Sequence, residues 1–261
     1  MIRLAHLSDI HFGDENRPAV EAATEEVRRA GVDAVVVSGD LTRFGEVKEF
    51  AAARAWLDQL PRPLIVTPGN HDAPYLAVAQ RVFTPFARYT RAIGPPAGEV
   101  LDLPDMVVVA VNSARGAQPR LNWSKGQVTD EQAEWAAGRL QTAAPGALRI
   151  VTCHHPLVEM IGGPMTGKVW NGPAMAERLT AARADLVLTG HIHAPFLWPY
   201  PYGDGLTHAV GAGTLSVRER GVPPSFNIIE AEAGEIHVRA LAFEGAGFTP
   251  YRTWSAARRE P

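Results

Sequence analysis

The stretch Gly69-Asn70-His71-Asp72 follows a short apolar run, residues 63–66, whose pattern predicts a buried strand ending in Thr67-Pro68. An amide, an imidazole and a carboxylate therefore stand together where a strand stops. Gly-Asn is also an ordinary turn pair, so this stretch alone is equally compatible with a simple turn. However, open α/β sheets bind ligands at strand ends, and four further polar clusters follow apolar runs in the same way.

The chain around this stretch alternates apolar runs with amphipathic segments. Strands are predicted at residues 2–7, 33–37 and 63–66, with helices at residues 18–30 and 46–60 between them. This order is typical of a parallel sheet with right-handed crossovers. The same criteria then predict strands at 100–103 and 106–111, a helix at 129–140, a strand at 148–152, a helix at 173–182, a strand at 185–188, and antiparallel strands at 206–210, 225–231 and 235–242.

Polar side chains directly follow five of the predicted strands. The metal-binding candidates among them are oxygen and nitrogen donors without a thiolate: Asp9, His11, Asp40, Asn70, His154, His191 and His193. Because the carboxyl ends of parallel strands meet at one edge of a sheet, we expect these groups to converge. The donor mixture suits Mn, Fe or Zn, with Co as a further candidate, rather than Ca or Mg. Seven donors exceed the needs of one four-coordinate ion, whereas two ions about 3.5–4 Å apart that share one carboxylate fit the set.

Three neighbouring residues are interpreted differently. His155 is equally compatible with a place beside the metal ligands and with simple packing. His6 lies within a strand and is interpreted as a packed or exposed histidine rather than a ligand. Cys153 is interpreted as a packing residue rather than a nucleophile.

The composition limits the class of protein. The chain has 261 residues, 46% hydrophobic, with a net charge of −3, and no strongly basic stretch gives a nucleic-acid signal. Its single cysteine excludes an intrachain disulfide. No apolar run approaches the roughly 18 residues of a membrane span, and no signal peptide is visible. We expect a soluble, cytoplasmic protein with one domain over residues 1–248 and a surface extension over residues 249–261.

Five motifs, taken in order, resemble the calcineurin-like metallophosphoesterase family. They are Asp9-x-His11, Gly39-Asp40, Gly69-Asn70-His71-Asp72, His154-x-Pro156 and Gly190-His191-x-His193. Gly39-Asp40-Leu41-Thr42 and the segment from Asn112-Ser113 to Trp135 are most similar to the bacterial branch that includes cyclic-nucleotide and glycerophosphodiester phosphodiesterases. The resemblance implies an α/β fold, a four-layer αββα sandwich of two mixed sheets flanked by helices, with a dinuclear metal site at the strand ends.

The resemblance also implies a role for each matching residue. One ion would be bound by Asp9, His11, Asp40 and His193, and the other by Asp40, Asn70, His154 and His191. His71 would face the substrate and protonate the leaving group or stabilise charge on the phosphoryl oxygens. Asp72 would accept a hydrogen bond from the other ring nitrogen of His71. The implied reaction is hydrolysis of a small phosphodiester by a hydroxide that bridges the two ions.

Other functions stay open at this stage. The same metals would serve a phosphomonoesterase or a nucleotide-type pyrophosphatase, and the same fold would serve a non-catalytic scaffold, which usually lacks ligands that are all present here. Residues 73–98 are predicted to form one or two helices and a loop over the strand ends, as a lid or as a contact in a homo-oligomer. Most aromatic residues of this segment are interpreted as ordinary helix-face packing. This segment and the loops at 114–125 and 158–171 would select the substrate. Candidate contacts are Asn112, Trp123, Trp170, Asn171, Arg218 and Arg220, of which the two arginines are interpreted slightly more readily as part of a solvated turn.

Overall fold

The computed structural model describes residues 1–159, 169–232 and 234–259. In chain order the strands are β1 (Ile2–Leu7), β2 (Ala34–Val37), β3 (Leu64–Val66), β4 (Val100–Leu103), β5 (Met106–Ala110), β6 (Leu148–Thr152), β7 (Leu186–Thr189), β8 (Phe196–Pro199), β9 (His208–Gly211), β10 (Ser225–Glu232), β11 (Glu235–Phe243) and β12 (Phe248–Ala257). The helices are α1 (Arg17–Arg29), α2 (Val47–Leu57), α3 (Val78–Phe83), α4 (Ala87–Ala92), α5 (Asp130–Gln141) and α6 (Gly172–Ala181).

These strands form two mixed sheets. The first has the order β12-β11-β10-β1-β2-β3, and its β1, β2 and β3 are parallel to one another. The second has the order β4-β5-β6-β7-β9-β8, in which β5, β6, β7 and β9 are parallel and the edge strands are antiparallel. The parallel strands of each sheet therefore share a common carboxyl end, as the crossover pattern predicts.

Side-chain alternation along the short apolar strands builds the layers. In β2, Val35 and Val37 pack against residues of α1 and α2, while Val36 packs against the second sheet. Each strand of this kind is buried on both faces, because successive side chains point to opposite sides of a sheet. Helices α5 and α6 cover the outer face of the second sheet. The resulting helix, sheet, sheet, helix arrangement confirms the predicted four-layer αββα fold.

The C-terminal part of the sequence prediction was wrong. Residues 248–257 are not a surface extension but form β12, which pairs along β11 at the edge of the first sheet. Most side chains of β12 are exposed, so the run lacks the alternation that identifies a half-buried strand. Beyond it, Arg259 is buried and its guanidinium donates to the carboxylate of Asp204. The folded domain thus continues past residue 248, and residues 260–261 lie outside the described part.

Two details of the later strands also differ from the prediction. Residues 206–210 were expected in an antiparallel sheet, but β9 lies between β7 and β8 and is parallel to β7. β8 was not predicted. It is a four-residue edge strand, and Trp198 and Pro199 within it are exposed, so little in its pattern distinguishes it from a loop.

Residues 73–98 divide into two parts. Tyr89 of α4 is fully buried and meets Phe50 of α2 edge to face, with ring centroids 6.1 Å apart, so α4 belongs to the outer helical layer. By contrast, α3 leaves Val78 and Phe83 57% and 82% exposed. Of the loop at 158–171, residues 160–168 lie outside the described part. The helices of the described residues include none long and apolar enough to cross a membrane.

Candidate metal centre

The predicted donors meet at strand ends that belong to both sheets. Asp9, Asp40 and Asn70 follow β1, β2 and β3 of the first sheet, whereas His154 and His191 follow β6 and β7 of the second. The prediction treated all five strand ends as one edge of one sheet. The site instead lies where the carboxyl ends of two stacked sheets face each other.

The first group of donors consists of Asp9, His11 and His193. The Oδ1 atom of Asp9 lies 3.1 Å from Nε2 of His193 and 3.7 Å from Nε2 of His11, and the two imidazole nitrogens are 3.3 Å apart. Ligand atoms that bind one ion at about 2.0–2.2 Å are separated by roughly this distance. The three side chains therefore fit a single metal ion.

Asp40 stands between this group and a second one. Its Oδ2 atom is 3.8 Å from Nε2 of His11 and 3.2 Å from Nε2 of His154. His191 offers a ring nitrogen within 4.8 Å of one from His154. A carboxylate flanked by histidines of two groups has the position that a bridging ligand needs.

Three donor atoms of the site are buried without a hydrogen-bond partner among the described residues: Oδ1 of Asp9, Oδ1 of Asn70 and Nε2 of His154. Buried polar atoms are normally satisfied, because leaving one unpaired costs about 1–3 kcal/mol. The opposite ring nitrogens are satisfied: Nδ1 of His154 donates to the Ser38 carbonyl at 2.8 Å, and Nδ1 of His193 donates to the Arg218 carbonyl at 2.7 Å. Metal-binding histidines are oriented in this way, so the residues fit metal ions.

The electrostatics of the centre favour bound cations. Burial acts to raise the pKa of Asp9 and of Asp40, but His193 beside Asp9 and His154 beside Asp40 hold both pKa values well below the usual range. Burial acts to lower the pKa of His154, yet Asp40 raises it to about 9. The pKa of His191 falls to about 3, through burial and then the charge of His154. Without metal, two buried carboxylates thus depend on a protonated histidine for compensation.

The backbone at the donors is unusual. Of the described non-glycine residues, seven have a positive φ, and five of these are predicted ligands: Asp9 (55°), His11 (49°), Asp40 (50°), His191 (68°) and His193 (61°). The left-handed region costs a non-glycine residue roughly 1–3 kcal/mol. No periodicity in the sequence signals this feature.

His71 and Asp72 do not form the predicted pair. Nδ1 of His71 hydrogen-bonds to the Arg43 carbonyl at 2.6 Å, and its Nε2 faces Arg218. The Asp72 carboxylate instead accepts from the backbone N–H groups of Leu41, Thr42 and Gly69 and from the Thr42 hydroxyl. Asp72 therefore links the loop that carries Asp40 to the loop that carries Asn70, because its carboxylate accepts hydrogen bonds from both.

His155 is a packed, hydrogen-bonded histidine. Its Nδ1 lies 2.9 Å from the Ser113 hydroxyl, and its Nε2 lies 2.8 Å from the Ser124 carbonyl. Nε2 must donate to that carbonyl, and the Ser113 hydroxyl oxygen already accepts from the His155 backbone N–H, which leaves its O–H to donate to Nδ1 of a neutral ring. Burial, reinforced by His191 and His154, lowers its pKa well below the usual range. A ring nitrogen of His155 lies within 4.8 Å of ring nitrogens of His154 and His191, but both of its nitrogens are engaged by Ser113 and Ser124. Cys153 is buried and burial raises its pKa to about 12, which fits packing rather than reactivity.

A cavity of about 810 Å³ opens in front of the donors. Among the predicted substrate contacts, Trp123, Arg218 and Arg220 line this cavity. The others do not: Asn112 caps a turn at the Ala114 N–H, Trp170 packs under Arg120, and Asn171 donates to Asp130.

Arg81 was not predicted as part of the site. It is buried on α3, where its guanidinium donates to the carbonyls of Gly116 and Ala73, and it also lines the cavity. A single arginine within a helical pattern carries no signal of this role.

Comparisons with known proteins identify the family of this chain. A family model described as calcineurin-like phosphoesterase matches residues 2–195. A glycerophosphodiester phosphodiesterase, GpdQ of Enterobacter lignolyticus, is 30% identical over 173 residues, which are 59% of this chain and 57% of that protein. A probable cyclic nucleotide phosphodiesterase of Synechococcus is 26% identical over 246 residues, 88% of each chain.

A solved structure shares the fold. The dimetal phosphatase LOC 393393 of Danio rerio superimposes with a TM-score of 0.72 at 12% identity and covers 99% of both chains. At that identity the likeness supports the four-layer fold and nothing finer. The similarity to the two named phosphodiesterases is what bears on chemistry.

Proposed function

This chain belongs to the calcineurin-like phosphoesterase family, and we propose that it hydrolyses phosphodiesters at a centre of two transition-metal ions. The observation that carries the proposal is a buried cluster of carboxylate, amide and imidazole donors in which Oδ1 of Asp9, Oδ1 of Asn70 and Nε2 of His154 have no hydrogen-bond partner among the described residues. Such an arrangement is unfavourable unless cations complete it.

We assign the ligands in two sets that share Asp40. One ion would be held by Asp9, His11, Asp40 and His193, and the other by Asp40, Asn70, His154 and His191. Nitrogen and oxygen donors of this mixture suit Mn, Fe or Zn, with Co as a further candidate. When bound, such ions lower the pKa of a coordinated water and neutralise charge on phosphoryl oxygens.

The residues of the chain account for binding and orientation. Carbonyl groups of Ser38 and Arg218 fix the rings of His154 and His193 before any substrate arrives. The cationic side chains of Arg81, Lys125 and Arg218 line the cavity and favour an anionic substrate. In the overall reaction the oxygen of water bonds to phosphorus, the ester P–O bond breaks, and a proton from the water ends on the leaving alcohol.

We prefer a diester to a monoester as substrate because both relatives described above carry phosphodiesterase names. The probable cyclic nucleotide phosphodiesterase aligns with this chain over 88% of its own length. The phosphomonoesterase and nucleotide-type pyrophosphatase alternatives use the same centre. The non-catalytic scaffold is disfavoured, because all seven donors are present. The cytoplasmic location, a lid at residues 73–98 and a homo-oligomeric contact through that segment stay predictions.

The test combines metal content with rates on two model esters. Protein loaded with Mn²⁺ should hold two ions per chain by mass spectrometry and should hydrolyse bis(p-nitrophenyl) phosphate faster than p-nitrophenyl phosphate. Asp40→Ala and Asn70→Ala should lose both metal and turnover. Faster monoester hydrolysis would change the substrate class, and two ions with no turnover on either ester would favour the scaffold.

A further inference from the structure

Arg218 lies on the loop between β9 and β10, and its backbone is held by residues of the metal centre. The hydroxyl of Thr214 donates to the Asp9 carbonyl at 2.6 Å, and the Ser216 hydroxyl accepts from the Arg218 N–H at 3.2 Å. The Arg218 carbonyl accepts from Nδ1 of His193 at 2.7 Å. The position of this residue is therefore tied to the donors on both sides.

The guanidinium of Arg218 faces imidazole nitrogens rather than a carboxylate. Its Nη1 atom is 3.1 Å from Nε2 of His71 and 3.5 Å from Nδ1 of His11. No ion pair links it to an Asp or Glu of residues 1–159, 169–232 or 234–259. The side chain is half-buried and lines the cavity. A half-buried guanidinium that lines a cavity and has no carboxylate partner among the described residues is suited to bind an anion there.

The hydrogen bonds also fix which atom donates between Arg218 and His71. A guanidinium has only donors, so Nε2 of His71 accepts from Arg218. Its Nδ1 then carries the ring proton and donates to the Arg43 carbonyl. In this arrangement His71 offers no proton to the cavity through Nε2.

We propose that Arg218 binds the non-bridging phosphoryl oxygens of the substrate and that His71 positions it by accepting one of its N–H groups. The substrate class rests on the function proposed above. The planar fork of the guanidinium matches two phosphoryl oxygens, and the remaining N–H groups are available to them. His71 thus acts through Arg218, which differs from the proton-donor role that the family resemblance implies.

Binding of inorganic phosphate to Mn²⁺-loaded protein, measured by calorimetry, tests the role of Arg218 without turnover. Arg218→Ala should bind phosphate about 10- to 100-fold more weakly, since hydrogen bonds to charged groups are of that strength. Arg218→Lys should be intermediate, because it keeps charge without the fork. The control is Arg54→Ala, which removes an exposed arginine of α2 that pairs with Asp58 and should bind like wild type.

Two results would overturn the assignment. One is phosphate affinity of Arg218→Ala within twofold of wild type at equal metal content. The other is loss of bound metal in Arg218→Ala, since the side chain would then support the centre rather than the anion.

The positioning role of His71 is tested with two substitutions. His71→Gln retains an amide oxygen that can accept from Arg218, so it should keep phosphate affinity within a few fold, whereas His71→Ala should lose it. Because the two residues act together, the double variant His71→Ala/Arg218→Ala should be no weaker than Arg218→Ala alone. Additive losses would show that His71 contacts phosphate independently, contrary to the proposal.

Measurement of turnover distinguishes failure of the Arg218 assignment from failure of the phosphodiesterase proposal. If wild type hydrolyses neither model ester but its phosphate affinity depends on Arg218, the phosphodiesterase proposal fails and the anion site stands. If wild type is active and Arg218→Ala is equally active, the inference fails and the phosphodiesterase proposal stands. Recovery of Arg218→Ala turnover on adding guanidinium chloride at non-denaturing concentration would support both.

Discussion

Gly69→Ala should disrupt the metal centre by steric contact alone. Gly69 has φ −106°, which alanine adopts readily, so the substitution introduces no backbone strain. A Cβ atom at this position would lie 2.7 Å from Cγ of Asp40 and closer still to its Oδ1 and backbone nitrogen, whereas ordinary contact begins near 3.4 Å. Relief of the Cγ contact alone requires a retreat of about 0.7 Å, and the closer contacts of Oδ1 and the backbone nitrogen require more. Functional constellations tolerate only roughly 0.5 Å.

Asp40 has little room to make that movement. Its Oδ1 accepts from the His71 N–H at 2.8 Å, and its Oδ2 is 3.2 Å from Nε2 of His154. We expect overpacking to lower the free energy of unfolding of the metal-free protein by about 1–3 kcal/mol. The affinity for metal should fall about 10- to 100-fold, as it does when the supports of metal ligands are altered.

The measurements are metal content after dialysis against graded Mn²⁺ and urea unfolding in the presence of a chelator. Gly138→Ala is the matched control, because a Cβ at Gly138 in α5 meets no atom within 4 Å. It should keep its metal and gain roughly 0.5–1 kcal/mol of stability from better helix propensity. Wild-type metal affinity and stability in Gly69→Ala would refute the packing described for Asp40.

Three further predictions follow from the hydrogen bonds, burial and donor atoms of the centre. His154→Ala should lose bound metal, whereas His155→Gln should keep it, because Ser113 and Ser124 already engage both nitrogens of His155; equal metal loss in the two variants would contradict this assignment. Burial, opposed by Asp9, lowers the pKa of His6 to about 3. Between pH 6.5 and about 3, His6 is therefore protonated in the unfolded chain and neutral in the folded chain. The free energy of unfolding of the metal-free protein should therefore fall as pH drops from 6.5 toward 3, by up to about 1.4 kcal/mol per pH unit for this histidine. Urea titrations at several pH values should show a shallower fall for His6→Gln. Finally, Mn²⁺ added to the metal-free protein at 100 times its dissociation constant should raise the free energy of unfolding by about 2.7 kcal/mol. An unchanged urea midpoint would argue against a bound ion.

The strand ends were predictable because their signal is local. A short apolar run followed by Asp-x-His or Gly-Asp needs only the period of a strand and the chemistry of the donor, as at Asp9 and Asp40. The pairing of strands into two sheets depends on contacts between residues far apart in the chain. The residues alone therefore suggested a site at the edge of one sheet, whereas the structure places it between the edges of two stacked sheets. The same seven donors converge in either case, because both sheets direct their carboxyl ends to one side.

The partners of His71 could not be obtained from spacing. Asp72 is adjacent in sequence and has the right chemistry, yet its carboxylate accepts from N–H groups of the loops that follow β2 and β3 instead. The groups that hydrogen-bond to the ring nitrogens of His71 are a carbonyl 28 residues earlier in the chain and a guanidinium 147 residues later. Arg218 and Arg220 alternate with Glu219 in the sequence, which is why the pattern favoured a solvated strand or turn.

Backbone strain provides an argument for function that is independent of side-chain chemistry. Glycine would relieve a positive φ at any of the five ligand positions, yet each carries a carboxylate or an imidazole. At roughly 1–3 kcal/mol apiece, strain at five positions is comparable to the whole stability of a typical domain, so the surrounding hydrogen bonds must hold these turns. Those bonds are present: the Asp9 and His11 N–H groups donate to the carbonyls of Gly39 and Asp40, and the His191 N–H donates to the Asp9 carboxylate. The strand ends are therefore hydrogen-bonded to one another before any ion binds. The fold accepts strained backbone at these positions and so holds the predicted metal ligands in place without the metal.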